Sequence, residues 1–112
     1  MIFILTYRIG LKYEIKVKNG KRNGVSKWWH KNGQLERERN YKDGNEDGLY
    51  KWWYENGQLE SERYVKNWGE SVGIHKSWYK SGQLKEEYNW ITGLRKCWDK
   101  EGNEIECSDL YK

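Results

Sequence analysis

The chain has no alanine and no proline, one methionine, one phenylalanine and two cysteines among 112 residues. Without alanine, and with a mean hydropathy of −1.20, the aliphatic supply is too thin for a thick core. The longest unbroken apolar run, Met1–Leu5, falls far short of the roughly 20 residues that a membrane-spanning helix needs. That run also lacks a basic leader and is followed at once by Tyr7 and Arg8, so it does not read as a secretory signal, and a cytoplasmic protein is expected. Two cysteines, Cys97 and Cys107, are too few for a disulfide scaffold, and a reducing compartment favours two thiols. The chemistry-bearing motifs are missing too: there is no G-x-S-x-G, no phosphate-cradling glycine loop, no H-E-x-x-H and no C-x-x-C. His30 and His75 are the only histidines, and neither has a nucleophile or paired acid at defined spacing. A non-enzymatic protein is expected, with no catalytic residue, cofactor, metal or small-molecule substrate.

What the chain does have is aromatic area and repetition. Eight tryptophans and nine tyrosines supply large flat apolar surfaces that the stems of Lys, Arg and Glu can cover. Trp29–Leu35 reads W-H-K-N-G-Q-L, Trp53–Leu59 reads W-Y-E-N-G-Q-L and Trp78–Leu84 reads W-Y-K-S-G-Q-L. The tryptophans lie 24 and 25 residues apart, with Trp98 a further 20 on, a spacing that belongs to repeat arrays. Each unit opens on a glycine, followed at alternate positions by an aliphatic residue, a lysine and a tryptophan: Val25, Lys27, Trp29 after Gly24; Leu49, Lys51, Trp53 after Gly48; Ile74, Lys76, Trp78 after Gly73; Leu94, Lys96, Trp98 after Gly93. That is the period of a strand.

Asn32-Gly33, Asn56-Gly57 and Ser81-Gly82 then predict tight hairpins, with return strands over Leu35–Tyr41, Leu59–Val65 and Leu84–Trp90. A two-residue type I′ turn places Lys27 opposite Glu38, Lys51 opposite Glu62 and Lys76 opposite Glu87. A three-residue loop with a bulge instead sets Trp53 opposite Leu59, and the two registers bury different faces. Polar, glycine-rich connections at residues 18–24 and 42–48 reverse the chain between hairpins; the one around Asn67-Trp68-Gly69 is enlarged and the one around Ile91-Thr92 is shortened. The predicted fold is all-β, a single-layer antiparallel meander of stacked hairpins over residues 17–107, with an irregular capping strand over 1–16 and a tail at 108–112.

The G-L-Y-K-W-W-Y-E-N-G-Q-L-E-S-E-R stretch from Gly48, with K-D-G-N-E-D-G before it, resembles the variant class of MORN repeats over about residues 17–106. Bacterial proteins of this kind are often labelled antitoxins of the YwqK type, and similar strings occur in large DNA viruses. The resemblance implies one extended sheet of stacked hairpins that binds other macromolecules, and it implies no chemistry.

The ladder Trp29, Trp53, Trp78, Trp98 recurs at one offset and reads as mortar between hairpins rather than as a ligand platform. The other strand face varies, and Trp28, His30, Tyr50, Trp52, Tyr54 and Tyr79 form the candidate protein-contact strip there, unless the N-terminal segment or a second copy packs on it. Glu36-Arg37-Glu38-Arg39 and Glu60-Ser61-Glu62-Arg63 read as solvated, ladder-paired charge. The 21 basic residues are interleaved with 17 acidic ones, which argues against nucleic acid and leaves peripheral acidic lipid as the weaker alternative to a protein partner. Toxin neutralisation is the other alternative. If Glu101-Gly102-Asn103 is a three-residue loop, Cys97 and Cys107 face each other within disulfide reach.

Overall fold

The computed structural model describes residues 4–9, 12–66 and 69–111. The strands are β1 (Ile4–Ile9), β2 (Tyr13–Lys18), β3 (Lys21–Arg22), β4 (Gly24–Trp29), β5 (Leu35–Lys42), β6 (Asn45–Trp53), β7 (Leu59–Lys66), β8 (Glu70–Trp78), β9 (Leu84–Asn89), β10 (Arg95–Trp98) and β11 (Glu104–Ile105), and one helical turn, α1 (Cys107–Leu110), follows. They form one open antiparallel sheet in sequence order, β1-β2-β4-β5-β6-β7-β8-β9-β10-β11, with β3 beside β2. The slab measures 54 × 35 × 17 Å. β1 and β2 pair with each other and β2 continues onto β4, so these two strands of the N-terminal segment extend the sheet at its edge. Of the expected cap, residues 1–3, 10 and 11 lie outside the described residues, as do Asn67 and Trp68 of the enlarged connection.

The hairpins combine the two registers that the sequence offered. Lys27 faces Glu38, Lys51 faces Glu62 and Lys76 faces Glu87 along the body, while Trp29 faces Leu35, Trp53 faces Leu59 and Trp78 faces Leu84 at the tip. A bulge between the tip and body pairs absorbs the difference, between Trp28 and Trp29 in the first hairpin. The tips are three-residue loops, because His30 N–H donates to Gln34 O, Tyr54 N–H to Gln58 O and Tyr79 N–H to Gln83 O. The expected type I′ turn at Asn32-Gly33, Asn56-Gly57 and Ser81-Gly82 is therefore corrected: only the glycine has positive φ there. The type I′ conformation occurs between repeats, where Asn19-Gly20 (φ 51 and 78) and Asp43-Gly44 (φ 49 and 88) each have two positive φ values.

At the tip, Asn32 has a different task. Its Oδ1 accepts the Gln34 N–H at 2.9 Å and its Nδ2 donates to Glu55 O of the next hairpin at 2.7 Å. Asn56 repeats both bonds, to Gln58 N–H and Lys80 O. The following glutamine lies over the next hairpin's turn glycine: a Cβ on Gly82 would sit 3.1 Å from Gln58 Oε1, and one on Gly102 would sit 3.0 Å from Gln83 Oε1. The N-G-Q string thus closes its own loop and clamps the next one.

Strand alternation sorts the sheet into two faces. One carries the lysines in a single cross-strand row, Glu14, Lys27, Glu38, Lys51, Glu62, Lys76, Glu87, Lys96, with signs alternating from strand to strand. The Nζ–Oε distances of 3.8–3.9 Å make each pair worth only ~0.2–1 kcal/mol, but the row penalises any slipped register. The opposite face carries the arginines of β3–β10, and the five residues buried among those described, Ser26, Tyr41, Tyr50, Val65 and Cys97, lie on it.

The last hairpin departs from expectation at the cysteines. Asp99 N–H donates to Asn103 O, so the loop is Lys100-Glu101-Gly102 and Cys97 faces Ile105, not Cys107. The chain then turns into α1, which brings the Cys107 Cα to 5.2 Å from that of Cys97, and the two form a disulfide. Within the sheet Cys97 is fully buried, so the bond anchors α1 to the buried face instead of leaving two thiols.

Candidate functional site

The six residues read from the sequence as a contact strip fall into two places. Trp28, Tyr50 and Trp52 lie on the arginine face. His30, Tyr54 and Tyr79 come one residue after β4, β6 and β8 end, where strand alternation no longer decides direction. There they reach sideways: His30 Nε2 bonds to Trp53 O at 2.8 Å, Tyr54 Oη donates to Trp78 O at 2.6 Å and Tyr79 Oη to Trp98 O at 2.8 Å. A carbonyl only accepts, so His30 carries its proton on Nε2 for this bond. Desolvation pushes the Tyr54 hydroxyl up, with Glu60 adding to it, and does the same to Tyr79 beside Asp99 and Glu101, which keeps both as donors. The next residue at this offset, Asp99, folds back instead: its Oδ1 accepts N–H bonds from Asn103 and Glu101, which hold its carboxyl below the ordinary range.

These bonds tie each hairpin's tip to its neighbour. Tyr54→Phe keeps the ring and removes the donor, which leaves the part-buried Trp78 carbonyl without this bond. A loss of about 1 kcal/mol is expected, read as a fall of roughly 0.5 M in the urea midpoint with an unchanged slope.

On the arginine face, rings and guanidinium groups interleave. Arg37 Cζ lies 4.3 Å from the Trp28 ring centroid and Arg39 Cζ lies 4.2 Å from that of Tyr50. Arg63 covers Tyr50 from the other side at 5.0 Å, and the Tyr50 and Trp52 rings meet at 4.0 Å between centroids. A planar guanidinium stacks on a ring where an ammonium does not, which is why Arg and not Lys occupies this face. Tyr50 is only 2% exposed beneath this cover. Further along, Arg95 stacks on Tyr88 and His75 sits between Arg63 and Arg95; burial first, then these two cations, pull the His75 ring below its ordinary range, against Glu86.

Two hollows lie along the tips. A cleft of about 790 Å³ at the first hairpin is lined by Tyr13, Trp28, Trp29, His30 and Glu36 among others, so it brings Trp28 and His30 together. A smaller one of about 390 Å³ holds Tyr54 and Tyr79 with Lys80 and Lys100. Tyr50 and Trp52 line neither hollow and lie instead beside the guanidinium groups of Arg39 and Arg63.

The lysine face carries a row of exposed apolar side chains. Leu49, Ile74 and Leu94, the aliphatic residue of three successive repeats, are 39, 47 and 66% exposed, with Tyr64 paired beside Leu49. The repeat pattern contained this strip as the residue after each opening glycine. Arg37 and Arg39, expected as solvated charge, instead lie part-buried against rings, because a period of two sends the two signs of charge to opposite faces.

Among the described residues, no helix is long and apolar enough to cross a membrane, and no three His, Cys, Asp or Glu gather as a metal site. Comparison with curated proteins and with solved structures finds no match. The family model of the MORN repeat variant matches residues 22–43, 46–67 and 71–92, each span running from just before an opening glycine, through the hairpin, into the next connection. With more than half its length in three such matches, the chain belongs to the MORN repeat variant family.

Proposed function

We propose that the protein is a non-enzymatic scaffold or adaptor that binds a protein partner through the extended surface of its sheet. The observation that carries this is the row Leu49, Ile74, Leu94 with Tyr64, left uncovered on a sheet one layer thick. Contiguous exposed apolar area flanked by polar groups is characteristic of a contact surface. The adjoining row alternates Lys and Glu, so it offers no unopposed positive field to an acidic lipid surface, and a protein with its own alternating charges fits it better.

The test compares the native chain with Leu49→Asp/Ile74→Asp as bait in its own host. Both positions are exposed, so the sheet tolerates the change, which far-ultraviolet circular dichroism verifies. A specific protein retained by the native chain and depleted about tenfold or more with the variant is expected, since losing two apolar contacts of this size costs at least ~1.4 kcal/mol. Equal recovery with both baits, or none with either, overturns the proposal. Neutralisation of a toxin, the activity that the YwqK label carries, is the special case in which the retained protein is toxic when expressed without this chain.

A further inference from the structure

The arginine face carries more positive charge than its own carboxylates answer. Its described cations in strands β3–β10 are Arg22, Arg37, Arg39, Arg63 and Arg95, with His75 in the same rows. Glu46 is taken by Arg39 at 3.0 Å, and Glu86 is taken by Arg95 at 3.0 Å and by the Tyr111 hydroxyl. Arg22 bonds to the Tyr41 hydroxyl. Among the described residues, Arg37 and Arg63 have ring contacts and no carboxylate partner, and the Nε of each is buried without an acceptor. Burying part of a guanidinium without a counter-charge is unfavourable unless something answers it.

The geometry points to Arg37 and Arg63 as the anchor points of a second binding surface, one that takes an extended acidic segment of a partner protein through its side-chain carboxylates. This rests on the reading of the chain as a protein-binding array and gives the chemistry of what one face recognises. Arg37 on β5 and Arg63 on β7 are two strands apart and belong to neighbouring cross-strand rows. Standard strand spacing and rise put them about 12 Å apart. One phosphate or sulfate cannot touch both, whereas carboxylates at positions i and i+4 of an extended chain lie about 13 Å apart on one side. The stacked guanidinium planes are pre-organised for such forked contacts. A single-stranded nucleic acid has the spacing as well, but it needs free ring faces for its bases. Here Arg37 lies over Trp28, and Arg39 and Arg63 over Tyr50.

The probe is a fluorescein-labelled 12-residue peptide with Glu at alternate positions and Ser between, titrated with the full chain at low salt and followed by anisotropy. Saturable binding is expected, weakened by added salt and lost when every Glu is replaced by Gln. Arg37→Gln/Arg63→Gln should weaken it about tenfold or more, as two charge-assisted contacts are removed. Lys51→Gln/Lys76→Gln removes the same charge from the other face and should leave affinity within about twofold. No binding, equal weakening by both variants, or a thymidine 12-mer or phosphatidylserine vesicles binding more tightly through Arg37 and Arg63 than the peptide does, each overturns the site. If the arginine variant unfolds, the arginine Nε–H resonances of the native chain decide: two must shift saturably with the Glu peptide and stay still with the Gln peptide, and stillness in both overturns the site. Leu49→Asp/Ile74→Asp should leave peptide binding unchanged, so failure of the lysine-face surface and failure of this site are read separately.

Discussion

Tyr50→Ala lowers the stability of the sheet by about 3–5 kcal/mol, the range for removing a large buried aromatic side chain, and thermal unfolding shifts down by roughly 10 °C or more. Among the described residues Tyr50 is the largest fully buried side chain, on a face where five are buried, so no thick neighbouring core can collapse into the space it leaves. Its ring is held between Arg39 at 4.2 Å and Arg63 at 5.0 Å and meets Trp52 at 4.0 Å. Without the ring, two partly desolvated guanidinium groups lose the surface that offsets their burial. Tyr50→Phe keeps the ring and both stacked cations, and should stay within about 1 kcal/mol of the native chain. Thermal melts followed by circular dichroism separate the two. If Ala and Phe cost the same, the stack is not what holds this face.

The contrast between Tyr50 and Leu49 shows what could be read from the chain and what could not. Strand positions, the meander and the Lys–Glu pairs were legible, because a period of two, repeated three times with opposite charges falling into line, leaves few consistent registers. Which face is buried was not. Both faces carry tryptophan in every full hairpin or in most of them, and the deciding difference is that Arg37, Arg39 and Arg63 can lie flat on rings while Lys27, Lys51 and Lys76 answer the glutamates opposite. The tip turn was illegible for a related reason. Asn-Gly suits a type I′ turn in isolation, as Asn19-Gly20 shows, but Asn32 gains a bond to Glu55 O that exists only once the next hairpin is in place. The same holds for the candidate site: alternation extended past the ends of β4, β6 and β8 put His30, Tyr54 and Tyr79 on a face, whereas neighbouring carbonyls draw them along the tips.

Gly48→Ala carries the other large effect, about 3 kcal/mol or more, from two costs at one atom. Gly48 has φ 117, in a region that side-chain-bearing residues essentially do not occupy and that costs on the order of 1–3 kcal/mol. A Cβ there would also sit 2.9 Å from the Asn40 Cβ. The approach is forced by the register, in which Arg39 faces Tyr50 and Tyr41 faces Glu46, so Asn40 alone opposes Asp47, Gly48 and Leu49, and its Nδ2 donates to Leu49 O at 2.9 Å. Asn40 cannot retreat, because the atom in the way is its own Cβ next to the paired backbone. Gly73 is the matched control: it opens the next repeat at φ 72 with nothing within 4 Å of a Cβ, so Gly73→Ala meets backbone strain alone, about 1–2 kcal/mol. Urea melts of the two variants should therefore separate, with Gly48→Ala the less stable, and Asn40→Gly in the Gly48→Ala background should recover part of the gap by removing the opposing carbon. Equal melts for the two glycine variants would mean that the hairpins do not meet as closely as this register requires.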